Sequence, residues 1–220
     1  MSKGQRPMKQ NQRFPGQAVQ RHQESGFSLV EFLLSTFILL VVASCVFAML
    51  AQTQRAASYQ AEVQAVMDNS RTAMDTVERV IRQAGNDPGK TGIAGLEITS
   101  PTQLRVRSDL TGSAAGGGNP DKGDPDGDVG DASEDVVIRY NTTDRAVELV
   151  PNGGSAQAIA NYISAFNLQY FDAAGAATAV GANVRKIRLT LTASTTLRDP
   201  QTGQMFGMQQ SSDIQIVNRQ

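Results

Sequence analysis

The chain has 220 residues, enough for one ordinary domain with an appendage and too few for two large domains. Residues 1–26 carry five basic groups against one acidic group, whereas residues 27–220 carry 15 basic and 20 acidic groups, a distribution that argues against a nucleic-acid-binding protein. His22 and Cys45 are the only residues of their types, which argues against Ser-His-Asp and Cys-His catalysis, histidine-based zinc sites and internal disulfides. We therefore expect a protein that is not an enzyme, with a carboxylate pair as the catalytic arrangement left open.

Residues 1–26 are rich in Gln, Arg, Lys, Pro and Gly and show no apolar periodicity, which is typical of a disordered stretch. Residues 27–54 are then predicted to form a transmembrane helix. From Phe32 to Gln54 there are 23 consecutive residues without a charge, and a helix needs about 20 apolar residues to cross a bilayer. The basic groups precede this segment, so the N-terminus should face the cytoplasm. The alternatives are a buried core helix, which would normally show a polar stripe, and a cleavable secretory signal, whose apolar core would be shorter.

The helical pattern continues through residues 55–86 with an amphipathic character. Apolar or small side chains recur at steps of three and four, which places them on one face of a helix. The predicted packing face is Tyr59, Val63, Val66, Ser70, Met74, Val77 and Ile81, and the predicted polar face is Glu62, Asp68, Arg71, Asp75, Arg79 and Arg82. No Pro or Gly interrupts residues 27–84, and Gly85 followed by Pro88 predicts the end of the helix.

Residues 87–220 change to the two-residue alternation of β-strands. Strands are predicted at 104–107, 136–140, 146–149, 163–170, 187–192 and 214–217. Short strands with one buried and one wet face favour an antiparallel sheet. We therefore predict an α+β fold, in which the amphipathic half of a long N-terminal helix packs on a meandering antiparallel sheet that forms a β head.

An acidic, glycine-rich loop at 112–135 separates two of these strands. Asp124, Asp126 and Asp128 alternate, with Asp135 as a later acid, and this spacing partly imitates a calcium-binding loop. Val129 stands where such a loop has a glycine, so a solvated acidic loop without a metal is the other interpretation. We expect no cofactor, with Ca²⁺ at this loop as the alternative.

The junction Gly26-Phe27-Ser28-Leu29-Val30-Glu31 joins the basic leader to a small residue, an aromatic residue and an apolar helix with one acid. In this it resembles the processing site of type IV prepilins and type II secretion pseudopilins. The resemblance implies that a prepilin peptidase removes the leader by cutting after Gly26, and that Phe27 becomes an N-methylated mature N-terminus. An ionised acid near the start of a membrane helix normally has a partner. Attraction between Glu31 and the Phe27 amine of a neighbouring subunit would set the axial stagger of bundled helices; snorkelling of Glu31 to the headgroups is the alternative.

The whole chain resembles the PilW-type minor pilins, which are similar to the J-type minor pseudopilins of type II secretion. The points of likeness are a first helix ending near 82–85, a Gly/Asp loop before Glu134, a strand over 166–172 and the closing residues 216–219. The leader is longer than is usual before a phenylalanine, so the start residue is either Met1 or Met8. The helix lacks a proline and a C-terminal disulfide cannot form, and both absences favour a minor subunit over a major one.

The resemblance implies a function in assembly. We expect a minor pilin held in the inner membrane by a single span, with its N-terminus cytoplasmic and its head periplasmic, that then enters a pilus at the cell surface or its initiating complex. Its implied partners are other major and minor pilins, the prepilin peptidase, an inner-membrane assembly platform and membrane lipid. The alternatives are a type II secretion pseudopilin of the same architecture, and an adhesin or calcium-binding surface module exported by the pilin route.

Overall fold

The structure is a computed structural model that describes residues 28–111, 125–131 and 133–218. The chain divides into two compact units, Met1–Ala48 and Met49–Gln220. One continuous helix contributes residues to both units, and all of the described strands belong to the second.

Helix α1 (Leu29–Arg82) has 54 residues and confirms the long N-terminal helix that the sequence predicts. It ends just before Gly85, whose φ of 69° lies in the left-handed region that favours glycine. Two bonds tie this end to the rest of the fold. The Gly85 N–H donates to the Arg107 carbonyl at 2.9 Å, and the Asn218 side-chain amide donates to the Arg82 carbonyl at 3.1 Å. The second bond satisfies one of the carbonyls that the last turn of a helix leaves open.

The strands form two antiparallel sheets, and in each sheet strands that are consecutive in sequence are neighbours. The five-stranded sheet contains β1 (Leu96–Ser100), β2 (Gln103–Arg107), β3 (Asp135–Asn141), β4 (Ala146–Pro151) and β5 (Gln157–Ala160). The three-stranded sheet contains β6 (Ile163–Phe171), β7 (Lys186–Ser194) and β8 (Gly207–Gln215), with a 3₁₀ turn at Gly181–Asn183 between β6 and β7. Neighbouring strands of this kind need only short connections.

One hydrophobic core collects side chains from the second half of α1 and from both sheets. Strand β7 shows the alternation most clearly, because Ile187, Leu189 and Leu191 are fully buried while the residues between them are partly exposed. The buried face of α1 consists of Glu62, Val66, Ser70, Ala73, Met74, Val77 and Ile81. Burial of a large apolar side chain contributes about 1.5–3 kcal/mol, so this shared core holds the helix and the sheets together.

The α+β prediction is confirmed, and three details differ from it. There are two sheets where one was expected. Strands β1 and β5 lie where none is predicted, because they are short edge strands that each bury a single side chain, Leu96 and Ala160. The last strand was predicted at 214–217 but runs over Gly207–Gln215. Of its nine residues only Ile214 is buried, so most of β8 has no apolar alternation by which it could be recognised.

Candidate functional site

The first half of α1 is an apolar surface. Over residues 29–50, fifteen large apolar side chains are between 47% and 75% exposed. An 18-residue apolar window of the helix contains no buried residue, which contradicts the alternative of a buried core helix. By length and composition this helix can cross a membrane. The chain is therefore compatible with a single-pass membrane protein.

Hydroxyl groups within this apolar half are satisfied inside the helix itself. The Ser35 hydroxyl donates to the Glu31 carbonyl at 2.8 Å, and the Ser44 hydroxyl donates to the Val41 carbonyl at 2.7 Å. The Thr36 hydroxyl lies within bonding distance of two carbonyls of the preceding turn. A hydrocarbon environment offers no water to polar groups, so hydroxyls that bond to their own helix can enter lipid without a partner.

Glu31 lies exposed in the first turn of α1. A negative charge at that position interacts favourably with the positive end of the helix dipole. The Phe32 N–H donates to the Ser28 carbonyl at 3.0 Å, so Ser28 stands at the N-terminal boundary of the helix. Serine at the boundary with glutamate three residues later has the sequence spacing of a capping box. Gly26 and Phe27 lie outside the described residues, so cleavage and methylation stay predictions.

Glu62 corrects the predicted polar face of the helix. This residue is only 9% exposed, although it was assigned to the wet side of α1. Its Oε1 accepts hydrogen bonds from the N–H, at 2.8 Å, and the hydroxyl of Thr196, and its Oε2 accepts the Leu197 N–H at 2.9 Å. The carboxylate therefore fastens α1 to the segment that follows β7. The sequence around a single acid at the edge of an apolar face does not predict such a partner.

The environment of Glu62 keeps it ionised. Burial raises the pKa of a carboxyl group, but the hydrogen bonds from Thr196 and Leu197 and the charge of Arg145 outweigh burial and hold the pKa of Glu62 below its ordinary value. The bonds are thus made to a charged acceptor, which strengthens them.

Asn69 makes a second hydrogen bond between α1 and the β head, because its Oδ1 accepts the Asn161 N–H at 3.3 Å.

The residues of the predicted calcium loop have different surroundings. Asp126 and Asp128 are exposed, and Asp124 lies outside the described residues. Asp135 is buried in β3, where its oxygens accept bonds from Arg105 Nε at 2.6 Å and Arg105 Nη2 at 2.5 Å. Within 28–111, 125–131 and 133–218, no three or more His, Cys, Asp or Glu side chains are grouped so that they could hold a metal ion. The loop site therefore stays a prediction, and the structure adds that Asp135 already has a partner.

Comparison with known proteins adds no relative to this picture. No model of a protein family matches the chain, and no curated protein matches it. Any statement of function therefore depends on the junction at residues 26–31 and on the two halves of α1.

Proposed function

We propose that the chain is a PilW-type minor pilin, which inserts in the inner membrane, is cut after Gly26 by a prepilin peptidase and takes part in assembly or initiation of a type IV pilus. The observation that carries the proposal is the division of α1. Residues 29–50 expose large apolar side chains, whereas the face from Glu62 to Ile81 belongs to the core of the β head. A helix divided in this way leaves one half available to a membrane or to like helices while the other half belongs to a folded head.

The energetics of the apolar half support this use. Each large apolar side chain gains about 1.5–3 kcal/mol when it leaves water, and fifteen such side chains are exposed over residues 29–50. Because these side chains are between 47% and 75% exposed, only that part of the gain remains, and its sum is comparable with or larger than the net stability of an ordinary domain, about 5–15 kcal/mol. The segment therefore needs an apolar environment at every stage, which is first lipid and then the helices of neighbouring pilins.

Glu31 supplies what apolar packing lacks, which is a preferred register. Apolar helices can slide past one another with little change in contact energy, whereas a charge pair favours one stagger. Two unit charges at about 4 Å attract by roughly 4 kcal/mol at an effective dielectric of 20, before desolvation is subtracted. The partner in this proposal is the Phe27 amine of the adjacent subunit, which exists only after the leader is cut.

The head has the complementary task of forming lateral contacts at the filament surface. The apolar core and the bonds from Thr196 and Leu197 to Glu62 join it to α1. The proposal assigns the head no catalytic step.

The test is the mass of the mature N-terminus. Wild-type protein isolated from its host membrane should begin at Phe27 with one methyl group on the amine. Gly26→Val should remain uncut, because a side chain at the cleavage position does not fit a peptidase pocket shaped for glycine. Gly16→Val, a matched substitution earlier in the leader, should be cut normally.

Two results would overturn the proposal. One is a mature N-terminus after Ala51, as an ordinary secretory signal would produce. The other is normal pilus formation when the gene is deleted while release of secreted proteins fails, because that phenotype belongs to a type II secretion pseudopilin. Loss of surface pili with normal protein release is the expected result.

A further inference from the structure

The loop between β7 and β8, residues 195–206, is held in one shape by its own hydrogen bonds. At its base the Thr195 N–H donates to the Phe206 carbonyl at 3.0 Å. Nearer its tip the Gly203 N–H donates to the Asp199 carbonyl at 2.8 Å, and Gly203 has a φ of 69°, which suits a tight turn. The β7–β8 loop therefore presents its side chains from a defined backbone.

The β7–β8 loop runs along α1 towards the apolar half of the helix. Near the base of the loop, the Leu197 N–H donates to Glu62. Further along the loop, Pro200 lines the same groove as Ala51. Residues 51 and 62 of one helix are about 16 Å apart along its axis. Ala51 directly follows Leu50, the last large exposed apolar side chain of α1, so the loop reaches the level at which the apolar half ends.

A groove of about 580 Å³ lies between the β7–β8 loop and α1, a volume within the range of ligand sites in proteins, about 300–1,000 Å³. Each wall contributes one arginine, Arg55 from α1 and Arg198 from the loop. Tyr59 and Leu197 add apolar surface. Among the residues that the structure describes, no acidic side chain lines the groove. The groove is therefore positively charged and partly apolar.

The charges of the two arginines are available to a ligand. Neither Arg55 nor Arg198 forms an ion pair within the described part of the chain. Arg198 Nη1 donates to the Gly203 carbonyl at 2.9 Å, which orients the guanidinium without neutralising it. Asp199 is the nearest acid in sequence, but its carboxylate accepts hydrogen bonds within its own turn, from the Thr202 hydroxyl at 3.0 Å and from a backbone N–H at 2.9 Å.

We propose that Arg55 and Arg198 bind the phosphate of an anionic phospholipid headgroup, so that the β7–β8 loop rests on the membrane surface. This binding depends on the membrane insertion of residues 29–50 that the proposed function includes. Arg55 follows Leu50 by about 8 Å along the helix. A bilayer about 40–45 Å thick with a hydrocarbon core of about 30 Å has a polar layer of about 5–8 Å on each side. Arg55 would therefore lie at the level of the phosphates.

The other side chains of the groove fit a lipid better than a free anion. Guanidinium groups bind phosphate through charge-assisted hydrogen bonds, and either source of phosphate satisfies them. Tyrosine, here the half-buried Tyr59, is enriched at membrane interfaces because its ring is apolar and its hydroxyl is polar. Leu197 is 46% exposed beside the arginines, and only a lipid offers this side chain an apolar environment.

The first test is native mass spectrometry of the full-length protein in detergent micelles that contain equal amounts of phosphatidylglycerol and phosphatidylcholine. The wild type should retain phosphatidylglycerol in preference. Arg55→Gln and Arg198→Gln should each reduce this preference about fivefold, which is the effect of one basic residue at an anionic membrane surface. Arg71→Gln is the matched control, because Arg71 is an exposed arginine of α1 about 24 Å beyond Arg55, and it should leave the preference unchanged.

The second test measures the depth of the loop. The chain has no tryptophan, so Leu197→Trp, Phe47→Trp and Val180→Trp each add a single fluorophore at an exposed apolar position. In vesicles of the same two lipids, nitroxides on the headgroup should quench Leu197→Trp, and nitroxides in the acyl chain should quench Phe47→Trp. Neither should quench Val180→Trp, because Val180 lies two residues before Ala182, which lines a cavity with Gly85 at the far end of α1.

The two tests separate this site from the proposed function. Quenching of Phe47→Trp without quenching of Leu197→Trp would overturn the lipid site and leave the membrane span intact, whereas an unquenched Phe47→Trp would overturn both. Equal losses in Arg71→Gln and Arg198→Gln would also overturn the site. Retention of inorganic phosphate in lipid-free micelles, lost in Arg198→Gln, would assign the groove to a free anion instead. A protein that passes both tests but is not cut after Gly26 would keep the lipid site and lose the proposed function.

Discussion

Glu62→Gln should loosen the contact between the second half of α1 and residues 196–197. The wild-type carboxylate accepts N–H groups on both of its oxygens. Glutamine keeps one oxygen, but its amide nitrogen is a donor and faces the second N–H. The substitution therefore removes the charge and one acceptor while it leaves the shape of the side chain almost unchanged.

The size of the effect follows from these bonds. A hydrogen bond to a charged group contributes about 1.5–3 kcal/mol. Thr196 and Leu197 are exposed, so water can solvate the donor that loses its acceptor, and we expect a loss in the free energy of unfolding of about 1.5–3 kcal/mol in total. For a domain of this size the Tm should fall by roughly 3–12 °C.

The loss of stability in Glu62→Gln should depend on pH, because the folded state changes the pKa of Glu62. The folded state lowers the pKa of Glu62 from its ordinary value of 4.5. A lowered pKa stabilises the fold above the unfolded value, and this contribution is lost as the pH falls through the folded value. The difference in Tm between wild type and Glu62→Gln should therefore be full at pH 7 and shrink as the pH falls below 4.5.

Glu78→Gln is the matched control on the same helix. Glu78 pairs with Arg82 at 3.4 Å, and the Arg82 side chain is 57% exposed. Such a pair one turn apart contributes about 0.3–0.5 kcal/mol. The assay is thermal unfolding by circular dichroism of both variants in detergent across this pH range. Equal losses in the two variants, or a Glu62→Gln difference that does not change with pH, would refute the reasoning.

Two further predictions concern the start and the end of α1. Glu31→Val should be inserted and cut normally but fail to enter filaments, whereas Glu31→Asp should be partly active and Glu31→Lys inactive. Normal incorporation of the valine variant into filaments, in a strain without the wild-type copy, would contradict a role of Glu31 in assembly. Gly95→Ala places a Cβ 2.3 Å from the Gly85 nitrogen, so it should lower the free energy of unfolding by about 1–3 kcal/mol. Gly207→Ala, whose nearest neighbour is 3.8 Å away, should change the Tm little.

Features that depend on local pattern were predicted from the sequence. The apolar half of α1, its packing face from Val66 to Ile81 and its end before Gly85 follow from helical spacing and from the first glycine of the segment. Strands β2, β3, β4, β6 and β7 follow from alternation. The apolar surface over residues 29–50 was equally predictable, because a surface made by consecutive residues of one helix needs no knowledge of the rest of the fold. The assembly role of Glu31 stays a prediction.

Only the tertiary structure determines which acidic side chains are buried and which partners they have. Glu62 finds its donors 134 and 135 residues away, and Asp135 finds Arg105 across a strand pair rather than a cation in its own loop. Asp109 and Glu134 are brought together by the pairing of β2 with β3, across the long segment that separates these strands. Apolar side chains gain from almost any neighbour, so their periodicity predicts burial. A carboxylate can be buried only beside a particular donor or cation, and the fold determines which one it meets.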